Sequence, residues 1–298
     1  MSKDAPQGTA NATKVDVSFH RPPEDLERFF TTFYCVEIDP GEGATVTDSL
    51  HPEWANIRIF SGTRPHNEIA GQTLSGADAL FTGPSKSPLH FTLGPTRVWG
   101  IGILPLGWAT FVGQPADEYA NSVSDCRSNA ALAPFAALAD SVLAKDGNEA
   151  VQYEAIVDFF RETCPRFGKE DPRITAIHSV LLDSELPHVS DMAERCGLNQ
   201  RTLERLCRKH FGFSPKLLLR RQRFMRSLAD FMLDPSLGWV GAIDSLYFDQ
   251  SHFVRDCKEF LEMAPSEYAA TDHPIMAGFL RERMRAYGSA VQTLDQLD

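Results

Sequence analysis

Two groups of polar side chains have the types and spacing to read a surface of hydrogen-bond donors and acceptors. They are Gln200, Arg201, Glu204 and Arg205, and Gln250, Ser251, His252 and Arg255. Arginine holds both acceptors of a guanine edge at once, glutamine pairs with adenine in the same two-point way, and a carboxylate accepts from cytosine. On a helix each group falls on one side. That chemistry needs a helix whose outward face is free to enter a major groove. Phosphate contacts would set its register, and Arg208, Lys209, Lys216, Arg220 and Arg221 are the candidates.

The stretch 188–224, HVSDMAERCGLNQRTLERLCRKHFGFSPKLLLRRQRF, supplies such a helix and one to support it. Ser190 is the expected N-cap of a short helix with Asp191 and Glu194 in its first turn. Met192, Ala193 and Cys196 form its apolar side, and Gly197 suits a left-handed stop. Asn199 is then expected to cap a second helix, on which Leu203, Leu206, Cys207 and Phe211 recur at helical spacing. The remaining face carries Gln, Arg and Glu. A solvated surface helix shows the same face, so this pair alone does not decide between them.

Charge distribution adds to the case. The whole chain carries −11, yet between Arg201 and Arg226 nine basic residues face Glu204 alone. That segment is +8 and the remainder −19. Screening confines each charge to roughly 10 Å, so a local basic patch on an acidic protein still attracts phosphate.

A second copy of the arrangement follows. Ser214-Pro215 opens a long helix through KLLLRRQRFMRSLADFML that stops near Asp234-Pro235. Residues 239–248 are then expected as a short helix, Asp249 as N-cap, and QSHFVRDCKEFL as a second reader with Phe253, Cys257 and Phe260 inward. Two helix-turn-helix units joined by one long helix are far more specific than either alone. Residues 171–270 resemble the DNA-binding domain of the AraC/XylS family of bacterial transcription regulators. GLNQRTLERLCRKHFGFSPKLLLRRQRF and LYFDQSHFVRDCKEFLEMAPSEY carry the resemblance. It implies that both groups of readers enter successive major-groove segments on one DNA face. It also implies an α+β chain: an amino-terminal β-rich domain (cupin-like barrel or sandwich) with trailing helices, and a carboxy-terminal all-α domain with two helix-turn-helix units. Expected partners are double-stranded DNA, a second copy in a homodimer, RNA polymerase and a small-molecule effector. The second unit departs from the family pattern: Leu246 and Glu262 replace glycines and Cys257 a core phenylalanine. A non-glycine residue at positive φ costs about 1 kcal/mol or more, so the second turn is expected to be reshaped or strained.

The amino-terminal half shows no chemistry of its own. Between 15 and 114, VDVSF, FYCVEI, ANIRIF, ALFTG, LHFTL and RVWGIGIL read as strands separated by Gly/Pro turns, and PEDLERFF as a short helix. Trp54, Trp99 and Trp108 can fill a core or enclose an apolar ligand there. His20, His51, His66 and His90 lack metal-ligand spacing, and no nucleophile elbow, P-loop or metalloprotease motif occurs, so neither enzyme activity, metal nor cofactor is expected. The six cysteines form no CxxC, which suits a reducing cytoplasm. No signal peptide or run of about 18 apolar residues is present. The expected organisation is a flexible tail 1–14, a sensor and dimerisation domain 15–163 ending in two amphipathic helices, a linker 164–172, the DNA-binding domain 173–272, and a helical extension 273–298 of unread role. Two rivals stay open: a ligand-independent activator, and an alkyl-transfer repair enzyme, whose acceptor cysteine would have to be Cys126 in DCRS or Cys164 in TCPR.

Overall fold

The computed structural model describes residues 13–145, 147–163, 170–185 and 188–295. Most of the expected tail and linker therefore lies outside the described residues, although Lys14 already belongs to a strand. The amino-terminal half is two antiparallel sheets. The larger contains β1 (Lys14–His20), β2 (Phe30–Asp39), β4 (Ala55–Gly62), β7 (Ala79–Thr82), β9 (Thr96–Ile103) and β10 (Val123–Asp125), ordered β1-β2-β9-β4-β7-β10. The smaller is β3 (Val46–Leu50), β8 (Leu89–Leu93), β5 (His66–Ile69) and β6 (Gln72–Ser75).

Successive side chains on a strand point to opposite faces, so a sheet covered on both sides needs nearly continuous apolar strands. β2 does this. Tyr34, Val36 and Ile38 point toward the smaller sheet, while Phe33 and Cys35 face the helices behind. Those helices are α2 (Ala133–Leu143) and α3 (Glu149–Thr163), which follow a one-turn α1 (Pro105–Gly107). Their apolar sides are buried: Phe135 stacks on Phe81, and Phe160 lies 4.4 Å centroid to centroid from Phe30. All six expected strands form. The expected helix PEDLERFF does not: only a 3-10 turn, Glu27–Phe29, precedes β2. Phe30 onward pairs with β9, and those ladder bonds outweigh a single acidic helical turn.

The carboxy-terminal half is helical: α4 (Pro172–Leu181), α5 (Val189–Arg195), α6 (Gln200–Phe211), α7 (Pro215–Leu233), α8 (Gly238–Ala242), α9 (Gln250–Phe260), α10 (Pro265–Ala270) and α11 (Met276–Tyr287). The buried clusters do not stop where the β half ends. Trp54, just before β4, meets His178 of α4 at 5.6 Å and Phe211 of α6 at 5.8 Å. The first helix pair thus shares its core with the sheets, whereas α7 to α11 form a second cluster around Phe224, Phe253 and Phe260. The extension beyond α10 returns to the barrel. Asp48 accepts from the Ile275 and Met276 amides at 2.8 and 2.9 Å, and Phe279 sits edge-on to Phe19 and Tyr34.

Candidate nucleic-acid interface

α5 does not begin as expected. His188 occupies the cap position without a side-chain bond, and Ser190, inside the helix, donates to Asp191 instead. The stop and restart are as the residue types require. Gly197 takes φ +62°, and Asn199 Oδ1 accepts from the Thr202 amide at 2.8 Å. Leu203, Leu206, Cys207 and Phe211 turn α6 inward, leaving Gln200, Arg201 and Arg205 exposed at its amino-terminal end. Glu204 is half-buried and pairs with Arg208 at 2.9 Å, so the one acidic residue of the group is tied to a neighbouring arginine.

The second unit is built differently at its turn. The expected helix over 239–248 shortens to α8, because Asp244 ends it. The Asp244 amide donates to Ser227 Oγ, its carboxylate accepts from the Leu246 amide at 2.8 Å, and it pairs with Arg226 at 2.5 Å. Leu246 is not among the non-glycine residues at positive φ, so this turn is reshaped rather than strained. Glu262 is strained, at φ +61°. Asp249 Oδ1 accepts from the His252 amide at 2.9 Å and opens α9. Gln250, Ser251, His252 and Arg255 are exposed along it, with Phe253, Cys257 and Phe260 buried. Lys258 lies on the same exposed side, three positions after Arg255, and helical spacing alone would have added it to the second group.

Four of the nine basic side chains of the 201–226 segment are committed inside the protein. Arg208, Lys209 and Lys216 are exposed. Arg220, expected at phosphate, instead pairs with Asp256 and, at 2.5 Å, with Glu259 of α9. Arg221 corrects the expectation outright. It is 1% exposed, and its Nη1 donates to the carbonyls of Ser85 at 2.8 Å and Glu53 at 3.3 Å. Burial pulls its pKa from the arginine range down to about 9. Arg223 lies over the Tyr247 ring at 4.2 Å, so four arginines of α7 orient the second unit or the barrel. Helical phase would have flagged Arg221, which shares a face with Leu218, Phe224 and Leu228.

A partly open cavity of about 100 Å³ lies between the sheets and α11, lined by β2, β4, β8 and β9 residues, by α11 and by Met225 of α7. None of the three expected tryptophans lines it. Trp54 faces the first helix pair, Trp99 Nε1 donates to Gln152 at 2.7 Å, and Trp108 Nε1 donates to the Gln114 carbonyl at 2.7 Å. At the cavity's polar end Arg58 binds both Glu53 oxygens at 2.7 and 2.8 Å and also donates to Tyr34 and Thr82. Gly100 makes this possible: it sits opposite Tyr34, and a Cβ there would lie 1.9 Å from the Tyr34 ring. Among the described residues no group of three His, Cys, Asp or Glu side chains could hold a metal. Cys126 is fully buried with its thiol pushed up to about 12 by desolvation, opposite to what an alkyl acceptor needs. Cys164 lies outside the described residues.

Residues 192–271 match the family model described as a helix-turn-helix domain. That span covers α6, α9 and the long helix α7 joining them. The span is similar to an AraC-type helix-turn-helix domain. A Haemophilus influenzae protein described as an uncharacterized HTH-type transcriptional regulator is 26% identical over 215 residues, 71% of this chain. The chain spans 65% of that relative's length. A crystal structure of ToxT from Vibrio cholerae is similar with a TM-score of 0.42 at 14% identity, over 87% of this chain and 98% of that one. The AraC-like transcriptional activator CuxR is similar with a TM-score of 0.30 at 13% identity, over 72% and 87%. Here the helix-turn-helix domain is packed against a two-sheet β domain, and no described helix is long and apolar enough to cross a membrane.

Proposed function

We propose that the chain is a one-component, sequence-specific DNA-binding transcriptional regulator of the cytoplasm, modulated by a small molecule held in its β domain. The observation that carries the DNA-binding part is the exposed amino-terminal end of α6. There Gln200, Arg201 and Arg205 project from a helix capped by Asn199 and backed by a buried apolar stripe. Such a helix end reads base edges, while Arg208, Lys209 and Lys216 meet phosphates. Gln250, Ser251, His252 and Arg255 form the second reading group. The small-molecule part is supported by the partly open, mostly apolar cavity with polar groups converging at one end. A homodimer and contact with RNA polymerase belong to the same reading. α2 and α3 bury their apolar sides on their own barrel, so a dimer through them would use their outer faces, where Val151 is exposed. Selection of bound sequences from a random DNA pool tests the proposal. Two motifs about one helical turn apart support both readers. Recovery of no motif sinks it.

A further inference from the structure

Phe248 is 88% exposed, and no other described phenylalanine is exposed. It stands in the turn of the second unit, directly before Asp249, the N-cap of α9. An apolar residue at that place ordinarily packs on the fourth residue of the helix it precedes and fixes the entry of the chain. The fourth residue of α9 is Phe253, and it is already covered. Tyr247 lies edge-on to it at 5.4 Å, Trp239 meets it at 5.2 Å and Phe224 stacks on it at 6.0 Å. Tyr247 also donates to Asp256 Oδ2 at 2.9 Å and carries Arg223 over its ring. Tyr247 therefore holds the turn, and the side chain after it turns out into solvent.

Outside, Phe248 meets the polar face of α9. Its ring lies 6.2 Å from that of His252, and Gln250, Ser251 and Arg255 are exposed on the same helix. The amino-terminal end of a recognition helix is the part that reaches base edges, while the helix before it crosses the phosphate backbone. Gln, Ser, His and Arg offer that surface donors and acceptors. The one base-edge feature that hydrogen bonds do not read is the 5-methyl group of thymine, which an apolar side chain such as phenylalanine contacts. Water around an exposed ring and around a methyl group is released when the two meet. Leu237 and Val240, the other exposed apolar side chains of this unit, belong to the turn before α8 and to α8 itself, the supporting helix.

We propose that Phe248 is a specificity-determining residue of the second unit, its ring packing on the 5-methyl group of a thymine in the second half of the bound sequence. It adds a requirement for that methyl to the hydrogen bonds of Gln250, Ser251, His252 and Arg255. This assignment rests on the DNA-binding reading above.

The full chain and duplexes carrying the sequence selected from the random pool test it. Each thymine of the second motif is replaced in turn by deoxyuridine, which keeps every hydrogen-bonding group and lacks only the methyl. At one position the parent is expected to lose about fourfold in affinity, the worth of one buried methyl group. Phe248→Ser should bind the thymine and deoxyuridine duplexes equally, and Phe248→Leu, still apolar, should keep part of the difference. Both variants should melt with the parent, because the ring supports no core. A second motif in which no thymine methyl matters, or a Phe248→Ser protein that still tells thymine from deoxyuridine, overturns the assignment and leaves DNA reading in place. A lowered melting temperature for Phe248→Ser makes the ring a packing group and overturns it too. If Phe248→Ser and Val240→Ser both keep the parent's DNA affinity and both lower transcription in a reconstituted assay, these side chains dock a protein instead. Recovery of no motif overturns the DNA reading and the part of Phe248 in it together.

Discussion

The guanidinium carbon of Arg221 lies 4.1 Å from the centroid of the Trp54 ring, so the long helix between the two reading units is anchored in the β domain by its most buried cation. Two of the guanidinium nitrogens there, Nε and Nη2, have no hydrogen-bond partner. A buried cation so poorly paired stabilises little and is readily replaced by an apolar side chain. Arg221→Met should therefore leave stability within about 1 kcal/mol of the parent or raise it. It should also leave the salt dependence of DNA binding unchanged, whereas Lys209→Ala should flatten the slope by about 0.9. A flatter slope for Arg221→Met, measured by titration over a range of salt, would return Arg221 to the phosphate contacts.

Base reading and positioning separate in the first unit. Arg205→Ala should cost about 1–3 kcal/mol on the selected sequence and blur preference at one base pair. Asn199→Ala removes the bond to the Thr202 amide and should cost about 1 kcal/mol of stability, with affinity for all sequences falling alike. Competition binding against random duplex distinguishes the two, and equal losses on specific and random DNA for Arg205→Ala would refute its role.

Glu262 holds a left-handed conformation that glycine adopts freely. Among the described residues its only ion pair is an exposed 3.6 Å contact with His90, a kind of pair that contributes little. Glu262→Gly should raise stability by about 1 kcal/mol and Glu262→Val should lower it. Denaturant titrations decide, and destabilisation by glycine would show that the contacts of Glu262 outweigh its backbone strain.

Acid should weaken the fold through two buried histidines. Desolvation pulls His51 down to about 4 and His178 to about 3, from 6.5. Below pH 6.5 the unfolded chain binds protons that the native state refuses, so the stability present above pH 6.5 is lost as pH falls toward those values. At pH 5 each histidine should have removed about 2 kcal/mol. His178→Phe should flatten this part of the stability–pH curve, and an unchanged curve would mean that His178 is accessible to protons in the native state.

The helix-turn-helix half was legible because its signals are local. Gly197, Asn199, Ser214-Pro215 and Asp249 all act within a few residues, and each takes the place its type suggests. The six apolar strands were legible for the same reason, since alternation and turn residues are near-neighbour properties. The acidic turn before Phe30 and the stretch 239–248 were misread, because pairing with β9 and the contacts of Asp244 come from distant residues.

The sequence by itself determined two capped helices with outward Gln and Arg, a long helix between them and a β-rich partner. Tertiary structure alone decided where charge and polarity go. It turned Arg220, Arg221, Arg223 and Arg226 from a basic patch into internal ties, set Glu53 against Arg58 across the end of a cavity, and folded the carboxy-terminal extension over it. An arginine's type fixes its charge, but whether that charge faces a phosphate, a carboxylate or an indole depends on residues far away in the chain. Only the packed molecule brings those residues together.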